Sequence, residues 1–373
     1  MKVLSVVGAR PNFVKIAPLL REMQSRPHIE PVLVHTGQHY DARMSDGFFD
    51  ALGIPAPDFN LAVGSASHAR QTAEVMTRLE PVLESVEPDL VLVVGDVNST
   101  LAAALTAVKL GLRVGHVEAG LRSFDRTMPE EINRVATDAV ADELFASEES
   151  AVVNLAREGV PAGRVHFVGN VMIDALRLTR PLWQASRAFA DLGLDRIRRY
   201  GLVTLHRPAN VDDPRRFRQI LGALHEVARH LPLIYPVHPR ARGRLAGADI
   251  TWLTAGQPVP ERGIVCTEPL GYLDFVALES RAALVLTDSG GIQEETTILG
   301  VPCLTLRENT ERPATVTHGT NRVIGVARSR IIDAALFALA HPPTPAAAPP
   351  RWDGYASARI IDTVLGVSME LAA

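Results

Sequence analysis

Cysteine is scarce in this chain of 373 residues, which contains only Cys266 and Cys303. Both lie in apolar surroundings, which argues against a disulfide framework and favours a reducing compartment. No segment approaches the ~20 apolar residues that cross a bilayer. The five-residue apolar run before Gly8 is too short for the core of a signal peptide. We therefore expect a cytoplasmic protein with no membrane partner.

Basic runs are also missing. The chain has 38 Lys and Arg against 42 Asp and Glu, a formal charge of -4. Without a positively charged stripe, we expect no nucleic-acid partner. A composition of 47% hydrophobic and 21% charged residues allows large buried cores, and the length favours two domains. The expected partner is a small molecule.

Several familiar catalytic motifs are absent. No GxGxxG follows the first apolar run, which disfavours a nicotinamide-dependent dehydrogenase, and no GxSxG elbow is present. His225 and His230 are five residues apart rather than four, and His35 and His39 flank Gly37, so neither pair predicts a helical zinc site. We predict no metal and no nicotinamide cofactor.

Short apolar runs alternate with helix-like stretches along the chain. The first half contains KVLSVV, PVLVHT, DLVLVV, RVGHVE, ELFAS and RVHFVG. After an arginine-rich helical region the pattern restarts with GLVTLH, PLIYPVH, GIVCTE, AALVLTD and VPCLTL. This pattern predicts an α/β fold with two parallel sheets covered by helices. We place an N-terminal domain at 1–170 and a C-terminal domain at 171–353.

A proline-rich tract, HPPTPAAAPP, precedes the last predicted helix. Proline fixes φ and removes backbone donors, so the tract is expected to connect rather than to form a helix or a central strand. The amphipathic stretch within 354–373 then predicts a helix that packs back on the first domain.

Polar side chains follow the predicted strands directly. They are Arg10, His35, Asp96, Glu118, His206, His238 and Ser289. Ligands of open α/β sheets bind outside the carboxyl ends of the strands. Two sheets decorated in this way predict one ligand in a cleft between the domains.

The string TDSGGIQEE predicts an anion site. Ser289, Gly290 and Gly291 end a buried strand and open a helix whose free N–H groups attract a phosphate. The ordinary alternative is a serine N-cap with glycines that ease a turn. Glu294 or Glu295 is placed to accept ribose hydroxyls, or to compensate the helix dipole.

Carboxylates recur in three contexts: Asp96 in VVGDVNST, Glu118 in HVEAGLRS, and Glu130 with Glu131 in MPEEINR. Acids that converge on one ligand are what proton transfer requires. Each also has a simpler explanation, as a helix cap, as an ion pair with Arg122, or as an ordinary helical first turn.

Histidine and cationic residues complete the candidate set. His206 lies between a buried strand and a proline-containing loop, where a histidine can protonate a leaving group. The neighbouring Arg207 either stabilises the charge of that leaving group or supports the loop. In GARPNFVK, Gly8 allows a tight turn, and Arg10 and Lys15 bring positive charge near the first strand end.

Together these motifs resemble the non-hydrolysing UDP-N-acetylglucosamine 2-epimerase family. The matching strings occur in the family's order from Gly8 to Pro313. They are GARPNFVKIAPL, HTGQHYD, VVGDVNSTLA, HVEAGLRS, MPEEINR, TLHRPAN, TDSGGIQEE and TERP.

The resemblance implies a glycosyltransferase-B-like fold, with two Rossmann-like domains facing a cleft, usually in a homodimer. It implies reversible conversion of UDP-N-acetylglucosamine to UDP-N-acetylmannosamine, a precursor of cell-surface polysaccharides, without a metal or nicotinamide. By matching positions, the catalytic groups are Asp96, Glu118, Glu130 and His206. The UDP-binding groups are Arg10, Lys15, Arg207, Ser289, Gly290, Gly291, Glu295 and Arg312. Second-site or accessory residues are Gln38, His39, Arg70, Gln71 and Asn210.

Two positions depart from the family's bacterial type. Ala209 stands where a glutamate is expected in HRRE, and Asp41 stands where glutamine is common. Both resemble positions of a second, activating UDP-N-acetylglucosamine site, so we expect weak or altered activation, and a strongly sigmoidal response would contradict this.

The motifs leave two UDP-sugars open as the substrate. GARPNF, HTGQHYD and MPEEINR also resemble relatives that epimerise UDP-2,3-diacetamido-glucuronate, whereas TERP favours UDP-N-acetylglucosamine. The rival functions are a glycosyltransferase of the same fold, a hydrolysing epimerase that releases the free sugar, and a UDP-sugar sensor. C2 exchange and product identity distinguish them.

Overall fold

The computed structural model describes residues 1–38, 52–253, 258–342 and 347–366. The chain divides into two compact units. Unit 1 comprises Met1–Leu178 with Pro350–Ala373, and unit 2 comprises Thr179–Pro349. None of the described helices is long and apolar enough to cross a membrane.

Within the described residues, unit 1 holds a sheet of seven parallel strands. They are β1 (Lys2–Val7), β2 (Glu30–His35), β3 (Phe59–Asn60), β4 (Leu90–Val94), β5 (Val114–Ala119), β6 (Glu143–Ala146) and β7 (Val165–Phe167). The order across the sheet is β3-β2-β1-β4-β5-β6-β7. The order therefore reverses between β1 and β4, which makes this point the topological switch where such sheets bind ligands.

Among the described residues of unit 1, six helices follow the strands. They are α1 (Arg10–Gln24), α2 (His68–Val86), α3 (Asn98–Lys109), α4 (Pro129–Val140), α5 (Glu149–Arg157) and α6 (Val171–Leu178). Strand β4 reads LVLVV and is buried at every position, as expected for a parallel strand covered on both faces. Helix α4 begins with Pro129, Glu130 and Glu131, because proline suits the first helical position and acids stabilise the helix N-terminus.

Unit 2 repeats this architecture, with seven parallel strands among its described residues. They are β8 (Gly201–Thr204), β9 (Leu233–Pro236), β10 (Thr251–Trp252), β11 (Ile264–Thr267), β12 (Leu284–Thr287), β13 (Cys303–Thr305) and β14 (Asn321–Val323). The order is β10-β11-β9-β8-β12-β13-β14, so its switch point lies between β8 and β12.

Helices cover the unit 2 sheet as well. They are α7 (Arg180–Gln184), α8 (Ala188–Asp191), α9 (Pro208–Val211), α10 (Pro214–Val227), α11 (Pro239–Arg242), α12 (Tyr272–Glu279), α13 (Gly290–Leu299), α14 (Ala314–Thr317) and α15 (Arg328–Ala340). A large apolar cluster lies on the α10 and α15 side of the sheet and includes Phe217, Ile220 and Leu224. This cluster holds the carboxyl ends of β8 and β12 on a rigid base.

The last helix, α16 (Ala356–Val364), belongs to unit 1. Asp174 of α6 accepts hydrogen bonds from the backbone N–H groups of Ala356 and Ser357 and from the Ser357 hydroxyl, at 2.6 to 3.2 Å. Trp352 is 1% exposed, and its indole N–H donates to the carbonyl of Ser147 at 2.9 Å. These buried contacts join the returning segment to unit 1.

The division differs from the predicted boundary after residue 170. Helix α6 lies in unit 1 because it packs on α1 and holds the returning helix, contacts that no local pattern in 171–178 reveals. The predicted second domain extended to residue 353, whereas unit 2 ends at Pro349. The edge strands β3, β10 and β14 were not predicted, because two or three residues are too few to make an apolar run.

Candidate active site

Glycine residues allow close packing at the switch point of unit 1. A Cβ atom on Gly8 would come within 2.2 Å of the Ser99 hydroxyl and 2.4 Å of the Thr36 hydroxyl. Gly8 therefore lets the start of α3 approach the end of β1. Asn12 joins the two strands by donating to the carbonyl of Val94 at 2.7 Å.

Glu118 and Lys15 form a buried ion pair at this end of the sheet. Glu118 has a φ of 71° and lies at a bulge, where the register of β5 against β6 shifts. Bulges beside active sites re-aim a side chain. A Cβ atom on Gly95 would lie 3.3 Å from the Lys15 ammonium and 3.4 Å from the Glu118 carboxylate, so this glycine leaves room for the pair.

Asp96 follows β4 and is held by helix α4. Its carboxylate pairs with Arg134 at 2.5 Å, and its carbonyl accepts from Asn133 at 2.9 Å. Glu130 lies one helical turn before Arg134, hence on the same face of α4. The structure thus brings Asp96 and Glu118 to the ends of adjacent strands and places Glu130 on the helix that contacts Asp96.

The neighbouring acid, Glu131, has a different environment. It is 2% exposed and accepts the backbone N–H groups of Ser123 and Phe124, each at 2.9 Å. It also pairs with Arg134 at 2.7 Å. Glu131 therefore fixes the loop between β5 and α4 and joins it to the guanidinium that holds Asp96.

In unit 2, Asp288 organises the loop that follows β8. It accepts the backbone N–H of His206 at 3.1 Å and of Arg207 at 3.1 Å, and the amide of Asn210 at 3.1 Å. Nδ1 of His206 lies 3.0 Å from the same carboxylate. Burial acts to raise the pKa of Asp288, but the charge and hydrogen bond of His206 and the backbone donors lower it below its ordinary value. The ionised carboxylate of Asp288 accepts a hydrogen bond from Nδ1–H of His206.

Three arginines surround one buried carboxylate near the start of α13. Glu311 lies 2.5 Å from Arg312, 2.7 Å from Arg307 and 3.7 Å from Arg207. Arg312 also pairs with Glu294 at 2.9 Å. Guanidinium groups gathered in this way suit the binding of an anion.

The N-terminus of α13 adds to this cluster. Ser289 occupies the N-cap position, but its side chain makes no capping hydrogen bond. A Cβ atom on Gly290 would lie 2.5 Å from Arg312, so the glycine allows a guanidinium to lie against the first turn. Gly291 follows in the same turn. A helix N-terminus beside arginine is suited to phosphate.

Glu295, one turn further along α13, is 3% exposed. Burial raises the pKa of Glu295 to about 8, a hydrogen bond with Tyr272 lowers it, and the charge of Glu294 raises it again. Glu279, at the end of α12, is fully buried, and neither of its oxygens has a hydrogen-bond partner. Burial and then the charge of Glu295 raise the pKa of Glu279 well above its ordinary value.

The accessory residues fall into different surroundings. Gln38 accepts from the backbone and hydroxyl of Ser99 at 3.2 and 2.7 Å, and Gln71 donates to the carbonyl of Gly64 at 2.9 Å. Both are buried, whereas Arg70 is exposed. Asn210 is 2% exposed and donates to Asp288 and to the carbonyl of Leu306, so it braces the loop.

Some predicted positions are not described. His39 and Asp41 lie outside the described residues. Arg10 begins α1, but its side chain is also outside them. Ala209 is an exposed residue of α9. Lys15 was predicted to bind UDP, and the structure brings its ammonium to Glu118 in unit 1.

The residues that the sequence analysis missed hold the predicted ones. Asp288, Glu311 and Arg134 each stand inside a motif string, next to or near a residue with a more familiar role. The signal that could have identified each of them was a charged residue within a buried stretch. Among the described part of the chain, no group of three or more His, Cys, Asp or Glu is arranged to hold a metal ion.

A family model described as UDP-N-acetylglucosamine 2-epimerase matches residues 21–365 of the chain. The chain belongs to this UDP-N-acetylglucosamine 2-epimerase family. The resemblance stated from the motifs is therefore confirmed, and the chain belongs to a family of isomerases. Its fold class is confirmed as glycosyltransferase-B-like, with two Rossmann-like domains.

Relatives of the epimerase chain carry two substrate names. A UDP-N-acetylglucosamine 2-epimerase from Methanocaldococcus jannaschii is 42% identical over 90% of this chain and 91% of the relative. A UDP-2,3-diacetamido-2,3-dideoxy-D-glucuronate 2-epimerase from Pseudomonas aeruginosa is 41% identical over 91% of this chain and 92% of the relative. Identity alone does not separate the two.

Among solved structures, the M. jannaschii UDP-GlcNAc 2-epimerase in complex with UDP-GlcNAc and UDP resembles the chain with a TM-score of 0.89. The two sequences are 38% identical in this comparison, which covers 98% of this chain and all of the other.

Proposed function

We propose that this enzyme reversibly inverts C2 of UDP-N-acetylglucosamine to give UDP-N-acetylmannosamine. The observation that carries the proposal is the pair of acids at the unit 1 switch point, Asp96 held by Arg134 and Glu118 held by Lys15. Proton transfer at carbon requires such groups fixed beside the reacting atom. Membership of the epimerase family supports the same reaction.

The proposed reaction begins with the elimination of UDP. It therefore needs one group that takes the C2 proton and another that holds the departing UDP. The C2 hydrogen has no neighbouring carbonyl to acidify it, so direct removal is slow. When the C1–O bond breaks, its electrons leave with UDP, positive charge develops at C1, and the C2–H bond becomes acidic. A carboxylate takes the proton, a C1–C2 double bond forms, and the products are 2-acetamidoglucal and UDP.

The return step inverts the centre. A second acid delivers a proton to the opposite face of C2, and a phosphate oxygen of UDP attacks C1. No atom is oxidised or reduced overall, so the proposal requires no redox cofactor. We assign the two proton transfers to the set Asp96, Glu118 and Glu130, whose carboxyl groups come from two strand ends and one helix start.

Unit 2 is proposed to hold the departing UDP. Arg207, Arg312 and the first turn of α13, from Ser289 through Gly291, offer positive charge and N–H donors to the diphosphate. Nδ1 of His206 contacts Asp288, and we assign to its Nε2 the contact with the leaving oxygen of UDP. Glu295 accepts the ribose hydroxyls.

A second candidate substrate is UDP-2,3-diacetamido-glucuronate, favoured by the 41% identity to the P. aeruginosa enzyme of that name. The reaction at C2 is the same for both sugars. We further propose that the enzyme is a cytoplasmic homodimer, as the family resemblance implies, and light scattering of the purified chain measures the dimer directly.

Proton NMR in deuterated water tests the reaction. Incubation with UDP-N-acetylglucosamine is expected to produce UDP-N-acetylmannosamine with deuterium at C2. If the spectrum stays unchanged, the same experiment with UDP-2,3-diacetamido-glucuronate decides for the second substrate. No exchange with either sugar would overturn the proposal, and release of free N-acetylmannosamine would indicate a hydrolysing enzyme.

A further inference from the structure

His116 is a fully buried residue of β5 with an acceptor at each ring nitrogen. Nδ1 lies 2.6 Å from the carboxylate of Asp138 on α4. Nε2 lies 2.8 Å from the backbone carbonyl of Gly95, and a carbonyl oxygen can only accept. Nε2 therefore donates to the carbonyl of Gly95, and Nδ1 is within hydrogen-bond distance of the Asp138 carboxylate.

Asp138 is ionised in this setting. Burial acts to raise its pKa, but the charge and hydrogen bond of His116, the charge of Arg122 and the backbone N–H of Gly120 lower it below the ordinary value. Arg122 lies 2.7 Å from Asp138 and 2.6 Å from Glu158. The buried carboxylate of Asp138 therefore lies between Arg122 and the ring of His116.

These contacts surround Glu118 on both sides. His116 lies two residues before it, Gly120 lies two residues after it, and both donate to Asp138, at 2.6 and 2.9 Å. Glu118 itself has a φ of 71° at a bulge. A non-glycine residue in this conformation is strained and persists only where its surroundings hold it. Asp138 is the group that holds both flanks.

The same ring also fixes the neighbouring strand end. Gly95, whose carbonyl accepts from His116, directly precedes Asp96, and its N–H donates to the carbonyl of Val117 at 3.0 Å. The His116 ring thus joins the end of β4 to the end of β5. Its position sets the spacing of the two backbones that carry Asp96 and Glu118.

We propose that His116 and Asp138 act as a positioning pair, which holds the backbones of Asp96 and Glu118 at the spacing that proton transfer at C2 requires. The proposal rests on the proposed function, because it takes these two acids as the proton carriers. Neither member of the pair touches substrate in this account. Misplacement of an acid by about 1 Å can lower a rate on the order of 100-fold.

The variant His116→Gln tests the pair, with His166→Gln as its matched control. His166 also pairs with an acid of the unit 1 sheet, Glu143, at 2.7 Å, but it lies on β7. We expect His116→Gln to lower kcat for C2 exchange about 100-fold while the UDP dissociation constant stays unchanged. The control should keep both values. Asp138→Asn should repeat the His116 result, since it replaces the carboxylate that contacts both His116 and Gly120.

A spectroscopic measurement is independent of activity and of the variant's stability. In 15N-histidine-labelled wild-type protein, the His116 ring is assigned through its contacts with Gly95 and Asp138, and its Nε2 should carry a proton that is hydrogen-bonded to the carbonyl of Gly95. A bare Nε2 would overturn the proposal, as would wild-type exchange in a folded His116→Gln variant. If the wild type exchanges no UDP-sugar, the proposed function fails, whereas the proton on Nε2 would still be observed.

Discussion

Each sheet has a switch point beside its first strand, between β1 and β4 in unit 1 and between β8 and β12 in unit 2, but the charged groups at the two points differ. In unit 1, Arg134 holds Asp96 and also pairs with Glu131, and Lys15 holds Glu118. In unit 2, three arginines share Glu311 beside a helix N-terminus. Acids fixed by cations suit proton transfer, whereas guanidinium groups beside a helix N-terminus suit a diphosphate. The comparison suggests that one duplicated architecture divides a reaction between an acid–base half and an anion-holding half.

The largest expected effect comes from the acids of unit 1. Replacing Asp96, Glu118 or Glu130 by its amide should lower C2 exchange in deuterated water about 100- to 10,000-fold, because an amide cannot carry the proton. The exchange rate is measured by proton NMR. The matched control is Glu143→Gln, which changes a paired acid at the start of β6. Wild-type exchange in all three amide variants would refute the assignment.

The next effect should come from unit 2 and appear in binding. Arg312→Gln is expected to weaken UDP binding about 10- to 100-fold, since a charge-assisted hydrogen bond is lost, while exchange at saturating substrate changes less. Calorimetry gives the dissociation constant. Arg240→Gln, at an exposed arginine of α11 paired with Asp212, is the control. A variant with normal UDP affinity would remove Arg312 from the diphosphate site.

The pH dependence of UDP binding sharpens the comparison. Burial raises the pKa of Glu295 to about 8, with Tyr272, Glu279 and Glu294 as the neighbouring titratable groups. Ribose hydroxyls donate to the ionised carboxylate, so protonation below pH 8 opposes binding. The dissociation constant should rise as the pH falls below 8, by about 10- to 100-fold in total, because a hydrogen bond to a charged group contributes about 1.5–3 kcal/mol. Glu295→Gln should remove this slope, and an unchanged slope in that variant would exclude Glu295 as its origin.

The smallest effect concerns stability. The raised pKa of Glu279 means that the folded state keeps its proton where the unfolded state loses it, so stability falls as pH rises above 4.5. Glu279→Met should raise the free energy of unfolding by about 1 to 3 kcal/mol, and more at pH 8 than at pH 5. Urea unfolding measures this. Glu268→Met, at an exposed acid, is the control. Destabilisation by Glu279→Met would show that this carboxyl has a compensating partner.

The central strands could be predicted because their burial on both faces requires continuous apolar runs such as LVLVV in β4. The edge strand β3 could not, since two residues make no pattern. Among site residues, acids that follow strands were predicted, because strand ends mark ligand sites. Asp138 was missed because its partners His116 and Gly120 are 22 and 18 residues away, and only the fold brings them together.

The boundary between the units shows the same limit. Residues 171–178 read as an ordinary amphipathic helix and could belong to either domain. The hydrogen bond between Asp174 and Ser357, which are 183 residues apart, joins this helix to the returning segment of unit 1. Local sequence thus predicts the elements and the motif residues, whereas the residues that hold them depend on long-range packing.

The most direct measurement of the proposed division of labour is the UDP affinity of the inactive Asp96→Asn variant, determined by calorimetry beside its C2 exchange rate. If unit 1 performs proton transfer and unit 2 holds the nucleotide, this variant binds UDP as the wild type does and exchanges no C2 hydrogen. A loss of UDP affinity as large as the loss of exchange would contradict the account.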